Sequence, residues 1–116
     1  METISTSKDF KQIFKNGKKI DSGPIRLWYL QKKESKMRIC FIGRSKKAVN
    51  RNRIRRRLRE SFRLYFYPLI NDSAFDLIFM SDERLMNADF CEIIHWMGEL
   101  LEKSGVANGA VFDCEY

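Results

Sequence analysis

Apolar positions recur along the chain with two different periods, and each change of period marks a new element. Between residues 8 and 16, Phe10, Ile13 and Phe14 stand three and four apart while Lys8, Lys11 and Lys15 take the other side, which predicts a short amphipathic helix. Ser5, Thr6 and Ser7 are candidates for its N-cap, and Gly17 for a left-handed C-terminus. From 20 to 30 the period shortens to two. Ile25, Leu27 and Tyr29 alternate with Arg26, Trp28 and Leu30, which predicts a strand bent or divided at Gly23 and Pro24. A polar turn at 31–36 leads to a second alternating run at 37–43. The short loop predicts that this run pairs with its predecessor as an antiparallel hairpin.

Residues 50–67 contain neither Gly nor Pro and precede Pro68, so they predict a long helix with Asn50 or Asn52 at its start. Ile54, Leu58, Phe62 and Tyr65 fall on one face at helical spacing and should meet the core. After a linker at 68–73, residues 74–80 are almost continuously apolar, as a central strand would be. Asn87 or Asp89 then caps a last helix over 88–103. Its Phe90, Ile93, Ile94, Met97, Leu100 and Leu101 form a wide stripe to cover the sheet, and His95 and Trp96 at the stripe's edges read as packing residues. The order helix, two strands, helix, strand, helix predicts an α+β fold, a two-layer α/β sandwich, in one domain over 1–116 with 106–116 as a tail.

Composition narrows the function. A chain of 116 residues can bury a core without staples. Cys40, Cys91 and Cys114 are widely spaced, lack a CxxC pair and have only His95 to join them, so no metal site is expected and the thiols are expected to be reduced. The start has no signal-like apolar core, and no apolar run approaches the length of a membrane span, so a cytoplasmic, soluble protein without a membrane partner is expected.

Charge decides more. The chain carries a formal net charge of +7, yet residues 44–63 alone hold ten Lys or Arg against one acid, Glu60. The remainder is therefore slightly acidic, and the basicity belongs to one stretch. Pairs such as Arg55 with Arg59 and Arg59 with Arg63 repel across a helical turn, a cost that a polyanion would offset. Arg outnumbers Lys eight to two there, which favours nucleic acid, because a guanidinium binds two phosphate oxygens at once and stacks on bases. No Ser/His/Asp set and no paired acids near a base can be picked out, so no catalytic residue is assigned.

Ser-Lys-Lys at 45–47, the Arg-Asn-Arg-Ile-Arg-Arg run at 51–56, the segment 7–17 and the strand at 75–80 followed by an amphipathic helix together resemble the protein subunit of bacterial ribonuclease P. The resemblance runs from about residue 5 to 105. It implies a left-handed βαβ crossover around the Arg-rich helix, against the usual hand. It also implies a cytosolic complex with a large catalytic RNA that removes the 5′ leader of precursor tRNA, with Mg²⁺ and the hydrolysis belonging to the RNA, no cofactor on the protein and no obligate protein partner. By position, Ser45, Lys46, Lys47, Arg51, Asn52, Arg53, Arg56, Arg57 and Arg59 would face RNA. Phe10 and Phe14 match an aromatic pair lining a leader-binding cleft, and Trp28 stands near an aromatic position on the facing sheet. Three departures stand out: Lys47 joins Ala48 directly where the family usually has a few more residues, Arg57 occupies a commonly apolar position, and Arg44 stands where a small or apolar residue is frequent.

Other readings remain. A ribosomal or RNA-assembly protein without a processing role would have the same small basic α+β form. DNA binding is less suited to a helix that also carries a core stripe and has no evident dimerisation element. An autonomous metal-dependent nuclease would need paired acids that are not apparent.

Overall fold

The structure, a computed structural model, describes residues 2–4, 6–32, 36–70 and 74–106. Its elements in order are β1 (Glu2–Thr3), α1 (Ser7–Asn16), β2 (Lys18–Ser22), β3 (Ile25–Gln31), β4 (Arg38–Arg44), α2 (Ala48–Tyr65), α3 (Tyr67–Ile70), β5 (Phe75–Asp82), a 3-10 helix (Glu83–Asn87) and α4 (Phe90–Ser104). The expected α+β character holds. The tail at 107–116, with Cys114, lies outside the described residues, as does Ser5, one of the three proposed caps.

The strands form one sheet in the order β1-β4-β5-β3-β2. The expected hairpin between the alternating runs at 20–30 and 37–43 does not form. β5 lies between β3 and β4, antiparallel to the first and parallel to the second, so that Ile78 faces Trp28 on one side and Cys40 on the other. The reason is burial: Leu77, Ile78 and Phe79 are all fully buried, and only a central position covers both faces of so apolar a strand. The run at 20–30 is two strands, with β2 starting at Lys18 and pairing β3 as a hairpin across Gly23 and Pro24. β4, α2 and β5 make a crossover unit, two parallel neighbours joined through a helix.

Local chemistry sets the helix ends. Thr6 caps α1: its hydroxyl accepts the Asp9 N–H at 3.2 Å and donates to the Asp9 carboxylate at 2.7 Å. Gly17 ends α1 in an extended conformation, φ −79°, rather than the left-handed one expected. Its missing side chain matters for space instead, since a Cβ would come within 2.4 Å of the Ile13 carbonyl oxygen and 2.8 Å of that of Tyr29. α2 begins at Ala48 with Lys47 as its N-cap, ahead of either Asn proposed for that role. The 68–73 linker contains part of the short α3, which buries Ile70. Asp89 starts α4 with a reciprocal capping box in which the Glu92 carboxylate accepts the Asp89 N–H.

The two sheet faces are covered unequally. Alternation sends Ile25, Leu27, Ile39, Phe41, Leu77 and Phe79 to one side, where Ile54, Leu58 and Phe62 of α2 and Ile93, Ile94, Met97, Leu100 and Leu101 of α4 close the main core. Trp28, Leu30, Cys40, Ile42 and Ile78 point to the other side, where α1 contributes the fully buried Ile13 over a smaller cluster. At one end of this face the buried Asp76 accepts a bidentate Arg38 at 2.8 and 3.0 Å and pairs with Lys32, and Arg38 reaches on to Asp9 of α1. These bonds raise the Arg38 pKa well above its ordinary value, Asp76 contributing most. Cys40 is a free thiol; Cys91 is disulfide-bonded, which departs from the reduced state expected for all three cysteines. Among the described residues, no helix is long and apolar enough to cross a membrane.

Candidate nucleic-acid interface

The basic stretch is organised by how α2 meets the sheet. Ile54, Leu58, Ser61 and Phe62 are buried, with Tyr65 partly so, which matches the expected stripe and forces the arginines outward or sideways. β4 lies close beneath: a Cβ on Gly43 would come within 2.4 Å of the Arg51 carbonyl oxygen, so only glycine allows this approach. No side chain caps the N-terminus of α2 and its first turn has no acid, so the positive end of the helix faces outward beside Lys46 and Lys47.

A groove of about 770 Å³ runs between α2 and the β1–β4 side of the sheet. Asn52, Arg56 and Arg59, three of the residues expected to face RNA, line it together with Glu60 and with Arg55, which was not among the expected residues. Arg55 donates to the Asn52 side-chain oxygen at 2.6 Å. Its place was readable, since it stands three residues from Asn52 and four from Arg59 on one helix face. Arg56 and Arg59 make no hydrogen bond or ion pair among the described residues, whereas Arg63 pairs with Glu60 and holds that carboxyl below its ordinary range. Glu60 also lines the groove, so Arg55, Arg56 and Arg59 face one carboxylate there, which Arg63 bonds, and the groove keeps an excess of positive charge.

The other expected residues lie elsewhere. Arg51 turns back and donates to the Ser45 and Lys46 carbonyl oxygens at 2.9 and 3.3 Å, which fixes the loop that leads into the helix. Ser45 donates to Glu83 and accepts the Lys47 N–H at 3.2 Å. Arg53 is exposed on the flank away from the groove. Arg57 is half-buried and donates to the Ala88 carbonyl, with its Nε buried and unpartnered, so it packs against the 3-10 segment instead of facing solvent. Asn52 sits in the second turn rather than at the helix start proposed for it.

On the other sheet face, Phe10, Phe14 and Trp28 come together. Phe14 is 40% exposed and meets Trp28 edge-on at 4.8 Å, Phe10 lies 6.4 Å from Phe14 at an angle of 19°, and Lys19 stands 5.6 Å from the Trp28 ring. Ile13, not the aromatic pair, fills the core under α1. The Trp28 indole Nε1 is buried without a partner. Cys40 joins the two sites, for it packs in the α1-side cluster and also lines the arginine groove. Burial pushes its thiol pKa up, a shift moderated by the Phe41 backbone N–H and the Arg55 charge.

Comparison with known proteins gives this arrangement a family. The model of the family described as Ribonuclease P matches residues 1–105. The chain belongs to the ribonuclease P protein family. It is 32% identical over 108 residues to the ribonuclease P protein component of Thermoanaerobacter sp. (strain X514), covering 91% of each chain. To that of a Nitratiruptor species it is 33% identical over 105 residues, 89% of this chain and 92% of the relative. The solved structure of the Thermotoga maritima RNase P protein is similar at a TM-score of 0.74 and 25% identity, over 89% of this chain and 97% of that one. The Staphylococcus aureus RNase P protein shares the fold, with a TM-score of 0.76 at 23% identity over 93% and 99% of the two chains. Against this background the direct junction of Lys47 with Ala48 has a simple outcome: the helix starts at once and Lys47 becomes its cap. Arg57, expected to face RNA, packs instead, its stem half-buried and its head bonded to backbone.

Proposed function

We infer that this chain is the protein component of ribonuclease P, acting in tRNA 5′ processing together with the enzyme's RNA subunit. The arginine groove would dock the catalytic RNA, with Arg55, Arg56 and Arg59 neutralising phosphates and the uncapped start of α2, beside Lys46 and Lys47, taking another. The aromatic face of Phe10, Phe14 and Trp28 would receive the single-stranded leader of precursor tRNA. Ring stacking contributes roughly 1–3 kcal/mol per base and tolerates many sequences, as a processing enzyme with many substrates requires. Mg²⁺ held by the RNA would supply the hydrolytic chemistry. Among the described residues no group of three or more His, Cys, Asp or Glu gathers to hold a metal ion. The protein's part is to bind and orient.

The observation that carries this reading is the junction at Cys40, where an arginine groove and an aromatic face meet around one strand. Two RNA segments can be held at once there. The test is binding of precursor and mature tRNA by a bacterial ribonuclease P RNA with and without this protein. A preference for the precursor that appears only with the protein is expected. Equal affinity for both, with RNA binding retained, would favour a ribosomal or assembly role instead.

A further inference from the structure

A second cluster of arginines lies outside the groove, at the end of the aromatic sheet face. Arg26, Arg44 and Arg84 surround a cavity of about 200 Å³ with Asp21, Asp82 and the half-buried Met80. Strand register places it. Arg26 pairs across from Met80, Met80 from Ile42, and Asp82 from Arg44, and all of these share the alternation of Trp28, Ile78 and Cys40. The cavity therefore opens on the same face as Phe14 and Trp28, with Arg26 two residues, about 7 Å, beyond Trp28 along β3.

The charges in this cavity are not equivalent. Arg26 pairs with Asp21 at 2.8 Å, and Arg84 forks onto Asp82 at 2.9 to 3.1 Å, holding that carboxyl below its ordinary range. Arg44 makes no side-chain hydrogen bond or ion pair among the described residues. The cluster thus consists of two ion pairs and one guanidinium with no hydrogen bond of its own, set across from Asp82 and close enough for its charge to lower that carboxyl too, so the cavity keeps one positive charge in excess. The walls are tied to each other as well, since Ser81 donates to the Pro24 carbonyl at 2.9 Å and clamps the β2–β3 turn onto β5. A cavity of this size with one guanidinium fork free of hydrogen bonds suits a single phosphodiester.

We propose that Arg44, oriented by the Arg26–Asp21 and Arg84–Asp82 pairs beside it, binds a backbone phosphate of the single-stranded RNA that lies across Phe14 and Trp28. This rests on the leader reading above and extends it: stacking holds the bases nearest α1, and Arg44 holds the backbone farther along. This contact would lengthen the stretch of leader that the chain senses beyond Trp28.

The test uses the complex assembled with a bacterial ribonuclease P RNA, measuring affinity for mature tRNA and for precursors with leaders of increasing length. Wild type is expected to gain affinity as the leader lengthens. Arg44→Ala should match wild type on mature tRNA and the shortest leader, and lose about three- to tenfold on long leaders only. The salt dependence for long leaders should become shallower by about 0.7 in log-log slope. Arg44→Glu should lose more and Arg44→Lys should recover most of the loss. Unchanged affinity of Arg44→Ala at every length, while wild type still prefers long leaders, would overturn the inference and leave the leader reading intact. A uniform loss that includes mature tRNA would also overturn it, placing the contact elsewhere. If wild type gains nothing with leader length, the leader reading fails and takes this inference with it.

Discussion

Arg56 and Arg57 are adjacent in the sequence but do different work in the fold. Arg56 lines the open groove with no hydrogen bond or ion pair of its own among the described residues, while Arg57 bonds the Ala88 carbonyl with its Nε buried. Arg56→Ala and Arg59→Ala should each weaken binding of ribonuclease P RNA and flatten its salt dependence by about 0.7 in log-log slope, with the unfolding midpoint little changed. Arg57→Ala should do the reverse, costing about 1–3 kcal/mol in urea unfolding because a backbone carbonyl loses its donor, with the salt slope nearly unmoved. Asp9 gives a pH prediction. The Thr6 hydroxyl first, and Arg38 second, hold its carboxyl below the ordinary value. A depressed carboxylate stabilises the fold fully above its unfolded pKa of about 3.9, and this support is lost as pH falls through the lower folded value. Acid titration of Thr6→Ala against wild type should therefore show the wild-type advantage shrinking below about pH 4 to the share that the Thr6 cap on the Asp9 N–H supplies at every pH; an advantage undiminished at about pH 2 would show that the Asp9 carboxylate is not part of its source.

Among the elements, α1 separates packing from binding within two consecutive residues. Ile13→Ala should cost about 2–5 kcal/mol in denaturant unfolding, since Ile13 is fully buried in the smaller cluster. Phe14→Ala should leave stability nearly intact and reduce affinity for leader-bearing precursor by about 1–3 kcal/mol, with mature tRNA unaffected. Sequence periodicity sufficed to find α1, α2 and α4 and the stripe from Ile54 to Tyr65, because those patterns are local. It failed on strand pairing. The runs around Leu27 and Ile39 alternate as hairpin partners would, and nothing local says that Leu77 to Phe79 will insert between them. The start of α2 was misplaced for a related reason: Lys47 caps it without a side-chain bond, so no capping signal marks the position.

For the whole molecule, the sheet acts as a partition. α2 and α4 cover one face, α1 covers the other in part, and Cys40 of β4 belongs both to the α1-side cluster and to the lining of the arginine groove. Charge density located the groove from sequence, but which arginines enter it depended on where α2 rests on β4. Arg55 was therefore missed, and Arg53 and Arg57 were placed with residues they do not join. The cavity at Arg44 was illegible for the same reason, since its three arginines lie at or beside the ends of three strands far apart in the chain. The central claim is that this partition lets one small protein hold both the catalytic RNA and the leader. It is tested most directly by precursor-tRNA cleavage at low Mg²⁺ with a bacterial ribonuclease P RNA alone, this protein alone and the two together. Cleavage at the 5′ maturation site only in the mixture is expected; a mixture no better than the RNA alone, with the protein still bound, would contradict it.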